Sequence, residues 1–263
     1  MKKEVKKSKI KMCALASGSS GNCFYISNGK NSILVDAGIS AKQIKERLDK
    51  IGADAENIDA IFITHEHSDH TKGADVFART FGTKIYATKK TINQKYLCSE
   101  PKLIKEIKNN GETKVGEMII EAFSKSHEAI DPVSFIVTCG KKKVAVITDV
   151  GYACKNVIKH VKQADFVFLE SNHDEEMLVN GPYPYFLKKW IKSDTGHLSN
   201  KQAGLCILEH ASPKLKGVIL SHQSKTNNTP ETAMETFNSF MKERINPPEV
   251  SISTTSPTEL FII

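Results

Sequence analysis

The sequence predicts β-sheets covered by helices, in the α/β or α+β class. Short apolar, β-rich runs come first as hairpin pairs joined by Gly, Ser and Asn turns. Further along, similar runs alternate with helical patterns. The 263 residues are 40% hydrophobic and 25% charged, an ordinary globular balance that excludes a disordered, fibrous or disulfide-scaffold protein. No run approaches the roughly 18 consecutive apolar residues of a membrane helix, so no membrane partner is expected.

Met12–Ala16, Cys23–Ser27 and Ser32–Val35 read as strands, with GSSGN and SNGKN as the turns between them. Ser40 suits the N-cap of a helix reaching about Ile51, because Ile44, Leu48 and Ile51 recur at helical spacing. Asp59–Ile63 is a short strand that stops at the polar cluster THEHSDH, and Lys84–Ala87 is a strand before a helix over Thr88–Leu97. Met118–Phe123, Val133–Cys139 and Lys143–Thr148 read as strands, and the helix Ala153–Val161 leads into a buried strand, Phe166–Glu170. Asn200–Glu209 is a helix before the strand Gly217–Leu220. Thr229–Met241 is a helix opened by Pro230, and Val250–Ser253 and Glu259–Ile263 close the chain as strands. With no repeat, low-complexity segment or long linker, residues 1–263 are expected to form a single domain.

The six cysteines show no CxxC spacing and read as small buried hydrophobes. The basic start MKKEVKKSKI is not followed by an apolar segment of signal-peptide length, so a cytoplasmic protein is expected. Net charge is +7, and only Arg47, Arg79 and Arg244 are arginine against 34 lysines. Lysine acts on phosphate as a point charge rather than a bidentate fork, so the balance suits a polyanion held without sequence reading, and equally a solvated surface.

The chemistry is concentrated in His65-Glu66-His67-Ser68-Asp69-His70, directly after the apolar run Ala60–Ile63. Neutral imidazoles and carboxylates are the usual ligands for zinc and similar cations. At i and i+2 of an extended chain, His65 and His67 point the same way and can reach one ion. Asp69 and His70 lie past the bend and would reach an adjacent second ion. The cluster also sits where a strand ends, the edge at which sites collect in open sheets.

HEHSDH matches the HxHxDH motif of the metallo-β-lactamase superfamily, and other pieces of that pattern follow in order. Asp36 ends ILVDAG, His127 lies in FSKSHEAIDP, Asp149 in VAVITDVGY and His222 in VILSHQSKTNNTP. Within that superfamily LASGSSGNCFYI, LESNHDEEML, GHLSN and LSHQSKTNNTP most resemble the YycJ/WalJ-like subfamily. They are similar, more distantly, to tRNase Z and the cyclic phosphodiesterases. The resemblance covers nearly the whole chain and implies an αβ/βα four-layer sandwich of the α+β class, with two packed sheets and helices on the outer faces. It implies two divalent ions, Zn²⁺ or Mn²⁺: His65, His67 and His127 on the first, Asp69, His70 and His222 on the second, and Asp149 shared. Two such ions about 3.5–4 Å apart would generate a hydroxide at neutral pH and clamp the oxygens of an in-line displacement.

Asp36 and Glu170, each ending an apolar strand, are expected to orient the liganding imidazoles, with a strand-end cap as the alternative. His197, in GHLSN, resembles a histidine that faces the site in the same relatives, and an imidazole can protonate a leaving oxygen near neutral pH. His173 lies near the position where tRNase Z carries a catalytic-segment histidine, although Leu169 occupies that position here. His160 and His210 fall in helix patterns and read as structural. Ser19 and Asn22 of the Gly-rich loop, and Asn227 and Asn228 of the NNTP turn, are candidate donors to phosphate, or else hairpin and helix-start residues.

Such a centre can open lactams, thioesters or phosphodiesters, so the pocket must decide. The resemblance implies a phosphodiesterase on nucleic acid, a DNA exonuclease. The alternative is a small-molecule hydrolase for a cyclic phosphodiester or thioester. The 73 residues from Asp149 to His222 leave no room for a large inserted nuclease domain. No Gly/Pro-rich tRNA-gripping arm is visible, which argues against an RNA-processing enzyme.

Overall fold

The computed structural model describes residues 9–263, so the first eight residues of the basic leader lie outside the described residues. The strands β1 (Lys11–Ala16), β2 (Cys23–Ser27) and β3 (Ser32–Val35) form an antiparallel meander. Then β4 (Ala60–Phe62), β5 (Lys84–Thr88) and β6 (Ile104–Ile107) add in parallel beside β3. The second sheet repeats the scheme. Here β7 (Glu112–Val115), β8 (Met118–Ser124), β9 (Val133–Cys139) and β10 (Lys142–Ile147) are antiparallel. Beside β10, the strands β11 (Phe166–Glu170), β12 (Gly217–Ser221) and β13 (Glu249–Ile252) run parallel. The last strand, β14 (Phe261–Ile262), returns to β1, which completes a first sheet ordered β14-β1-β2-β3-β4-β5-β6 against β13-β12-β11-β10-β9-β8-β7.

Parallel neighbours need crossover connections, and the helices supply them. The first half carries α1 (Ala41–Lys50), α2 (Ser68–Thr71), α3 (Ala74–Phe81) and α4 (Lys89–Gln94). The second carries α5 (Lys155–Val161), α6 (Glu175–Asn180), α7 (Tyr185–Ile191), α8 (Asn200–His210) and α9 (Pro230–Met241). Ser40 caps α1 in a reciprocal capping box with Gln43, and the apolar stripe Ile44 and Leu48 is buried. Ser199 and Gln202 repeat the device on α8.

Three apolar layers follow from the strand alternation. Phe24, Ile33, Phe62, Phe135, Val146 and Phe168 fill the space between the sheets, where Phe62 meets Phe135 edge-on at 5.5 Å between centroids. The opposite face of the first sheet packs on Ile44, Leu48 and Phe77 of α1 and α3. The opposite face of the second packs on Val157, Ile207 and Phe237 of α5, α8 and α9. Helix, sheet, sheet and helix are therefore stacked as the four-layer αβ/βα sandwich. All six cysteines are free and five are buried.

Several boundaries differ from the sequence reading. The α4 helix ends at Gln94 rather than Leu97, because Lys95 is extended, and α5 begins at Lys155 because Cys154 is an extended cap. The weakly apolar strands β6 and β7 and the short helices α2, α3, α6 and α7 add to the predicted set. In each sheet one strand marks the change from antiparallel to parallel, β3 in the first and β10 in the second. Asp36 follows β3 and Asp149 follows β10.

Candidate metal centre

The site is built from strand ends. Thr64 to His70 follow β4, His127 follows β8, Asp149 follows β10, Glu170 ends β11 and His222 follows β12. Asp36, Asp149 and His222 have φ of 62°, 54° and 55°, a left-handed conformation that costs a non-glycine residue about 1–2 kcal/mol. Three such residues in one place mark a backbone held against its preference by its surroundings. Ser17 Oγ accepts the His222 N–H at 2.7 Å, one of the bonds that holds the turn. Gly38 is required for close approach: a Cβ there would lie 1.6 Å from the Asp69 carbonyl oxygen.

Among the described residues, four overlapping groups of donors have ligand atoms within 4.8 Å of one another. Two are His65, His67 and His127, and Asp69, His70 and His222, while Asp149 joins the other two, with His65 and His70 and with Glu170, His197 and His222. His65 Nε2 and His67 Nδ1 are 3.0 Å apart. The Asp149 carboxylate lies between the first two groups. One oxygen is 3.8 Å from His127 Nε2 and 3.4 Å from His222 Nε2, and the other is 3.2 Å from His70 Nε2.

The surroundings orient these rings. Asp36 lies 2.7 Å from His70 Nδ1 and accepts the Thr64 N–H at 2.8 Å and its hydroxyl at 3.0–3.1 Å. Glu170 lies 2.8 Å from His197 Nδ1 and 2.9 Å from His222 Nδ1, and its other oxygen accepts the Val150 N–H at 2.6 Å. Burial and neighbouring charge then divide the histidines. Burial lowers His65 well below the usual imidazole range and His127 to about 3, which leaves neutral rings with a free lone pair. Burial also opposes charge on His70 and His222, but the surrounding carboxylates, Asp149 foremost, raise both, His222 to about 10. Around Glu170 burial pushes upward, and the neighbouring His197 outweighs it and leaves the carboxyl at about 2.

These residues fit divalent cations. His127 Nε2, Asp149 Oδ2 and His222 Nε2 are buried without a hydrogen-bond partner among the described residues, although bare buried polar atoms are costly. Asp36, Asp69, Asp149 and Glu170 gather in or beside a buried space, where Lys125 Nζ donates to the Thr148 carbonyl at 2.7 Å and burial lowers its pKa below the ordinary lysine value. Positive charge is demanded there, and imidazole with carboxylate is the donor set that zinc and manganese accept.

The other predicted residues separate. His197 is partly exposed and sits 5.4 Å from His127 and 5.2 Å from His222 between ring centroids. Among the described residues His173 joins no ligand group: it is buried, held at about 4 by that burial, and pairs its backbone with Ser199. Ser19 is exposed at the loop tip. Asn22 is turned inward, contrary to the substrate-donor reading. It accepts the Gly18 N–H at 3.0 Å, and its amide nitrogen sits 3.4 Å from Asp69 Oδ2 and 3.2 Å from His70 Nε2. Asn228 is likewise spent on the Ser171 and Asn172 carbonyls, both at 3.0 Å, and Asn227 is fully buried. Asn22 and Asn228 fix loops, because a buried amide satisfies several backbone groups at once, whereas the buried Asn227 amide has no hydrogen-bond partner among the described residues. Thr64, Lys125 and Asn172, which donates to the His222 carbonyl at 2.8 Å, escaped the sequence reading. Only Thr64, at the strand end before the cluster, carried a local signal.

A family described as Beta-lactamase superfamily domain matches residues 31–222. The chain is 42% identical over 233 residues to "Exodeoxyribonuclease WalJ" of Streptococcus pneumoniae serotype 2, covering 87% of each chain. It is 36% identical to "Exodeoxyribonuclease YycJ" of Bacillus anthracis over 88% of each. Among solved structures, the metallo-beta-lactamase fold protein YhfI from Bacillus subtilis superposes with a TM-score of 0.74 at 17% identity, over 98% of this chain and all of that one.

Proposed function

This chain belongs to the beta-lactamase superfamily, and on that premise we propose that it is a metal-dependent DNA exonuclease, a single domain working in the cytoplasm. The observation that carries the reading is the Asp149 carboxylate, flanked within 3.8 Å by imidazoles of both donor groups at one edge of the sandwich. The choice of DNA is supported by the exodeoxyribonucleases to which the chain is similar and by its 34 lysines.

His65, His67 and His127 would hold one divalent ion and Asp69, His70 and His222 another, with Asp149 shared and Zn²⁺ or Mn²⁺ as the cation. Bound there, the ions would supply charge to polarise a phosphodiester and to lower the pKa of water. The chain's own residues do the rest. Asp36 and Glu170 fix the ring orientation of His70 and His222 from their Nδ1 sides. Glu170 also holds His197 Nδ1, which leaves Nε2 to deliver a proton to the leaving oxygen.

The test is digestion of end-labelled double-stranded DNA by protein reconstituted with Zn²⁺ or Mn²⁺, beside a His67→Ala control. Stepwise loss of nucleotides from one end, absent in the control, is expected. Intact DNA alongside cleavage of a small aryl diester would replace this reading with a small-molecule phosphodiesterase.

A further inference from the structure

Helix α7 displays two adjacent aromatic rings to solvent, Tyr185 at 80% and Phe186 at 73% exposure. Ile191 anchors the helix inward. On one face, Tyr185, Lys188, Lys189 and Lys192 follow the i, i+3, i+4, i+7 spacing. With Val179 and Ser193 they line a cavity of about 590 Å³. Lys188 donates to the Val179 carbonyl at 2.7 Å and so closes one wall, while Lys189 and Lys192 stand exposed.

The far end of the helix reaches the metal centre. The Trp190 indole donates to Glu128, and its ring stands edge-on to His197 at 5.4 Å between centroids. Glu128 N–H donates to the Thr195 carbonyl at 3.1 Å and Ser126 Oγ to that of Asp194 at 2.5 Å. The loop that carries His127 is thereby tied to the end of α7, and on that helix Phe186 and Trp190 lie four residues apart on one face, with Trp190 against His197.

We propose that α7 is the docking platform for an unpaired DNA strand on its way to the metal centre, an inference that rests on the nuclease reading above. Exposed rings give bases a surface on which to stack without reading sequence, and lysines beside them match the phosphates. A duplex hides its base faces, so the rings favour the unpaired strand. A second copy of this chain would bring Lys188, Lys189 and Lys192 against like charges, and a purely apolar partner would leave them unmatched.

The test measures binding of nuclease-resistant phosphorothioate oligo-dT, and of a blunt duplex of equal length, to metal-loaded protein by fluorescence anisotropy. In Tyr185→Ala/Phe186→Ala, oligo-dT binding is expected to weaken about tenfold or more and duplex binding less than about twofold, with Tyr185→Phe retaining wild-type affinity. The ratio of oligonucleotide to small-diester turnover should fall with the rings. Equal losses on both DNA forms, or no loss, would overturn the platform, as would a dimer in sedimentation that dissolves when the rings are removed. DNA degradation with ring-independent binding rejects the platform alone. DNA left intact by an enzyme that cleaves the small diester removes the nuclease reading, and the platform with it.

Discussion

His160 on α5 and His127 beside β8 are both buried imidazoles, at 1% and 6% exposure, yet the protein treats them differently. His160 uses both nitrogens internally: Nδ1 lies 2.7 Å from the Asn156 carbonyl and Nε2 3.1 Å from Glu121, and the ring stacks on Phe123. His127 has one long contact, Nδ1 at 3.3 Å from the Gly196 carbonyl, and its Nε2 is bare. His197 stands between them, with Nδ1 held by Glu170 and a partly exposed ring. A buried polar atom left bare costs about 1–3 kcal/mol, and a bare nitrogen set among other metal-binding donors marks a place that a cation would complete. In the proposed reading, the closed, half-open and bare imidazoles would serve as structural pair, proton carrier and ligand.

The largest effect should come at the residue that both donor groups share. Asp149→Ala is expected to lose the two-ion stoichiometry in metal analysis and to lower nuclease activity at least about a thousandfold, since metal charge supplies several kcal/mol of transition-state stabilisation. Chelation should lower the melting temperature of the wild type by roughly 5 °C or more and leave that of Asp149→Ala unmoved. An Asp149→Ala protein that still holds two ions per chain would break the comparison at its centre.

The half-open histidine comes next. His197→Ala is expected to keep both ions and to lose about a hundredfold or more in kcat, with one limb of the pH–rate profile flattened. Wild-type turnover would remove it from proton transfer. Asp36→Asn tests the support behind a ligand: metal affinity should fall about 10- to 100-fold, read by titration with a competing chelator. Unchanged affinity would mean that Thr64 and the backbone alone orient His70.

The contrast between open and closed histidines was only partly legible in the sequence. His65, His67, Asp69 and His70 are local, four donors in six residues after a strand, and Asp149 and His222 follow apolar runs that end at the same sheet edge. Strands such as Val133–Cys139 and Phe166–Glu170 coincide with their predicted limits because both faces are buried and the runs are nearly continuous. The polar strands IKEI and ETKV lack that signal, and Gly73 gives α3 no side-chain cap to announce it. Lys125 is invisible because its role depends on carboxylates from four other segments, and an asparagine in a glycine-rich turn reads equally as a donor to phosphate or a loop pin. The exposure of Tyr185 and Phe186 likewise needs the folded surface, since YFLKKWI alone fits a buried amphipathic helix.

The smallest effect tests the closed pair. Burial alone would raise the Glu121 carboxyl, but the bond to His160 and the nearby Lys159 outweigh it and hold the group below its ordinary value. An acid depressed in the folded state adds stability above its unfolded pKa of about 4.3, and that stability is lost as pH falls through the lower folded value. Glu121→Gln should therefore be less stable than wild type at about pH 6, by under roughly 1 kcal/mol because the carboxylate is partly solvated. In urea titrations the gap should narrow as pH drops below about 4. Nuclease activity and metal content should stay at wild-type levels, because His160 and Glu121 complete each other without a cation. Lost metal in Glu121→Gln would mean that the flank and the centre are one network, and that a histidine's open nitrogen is not what separates them.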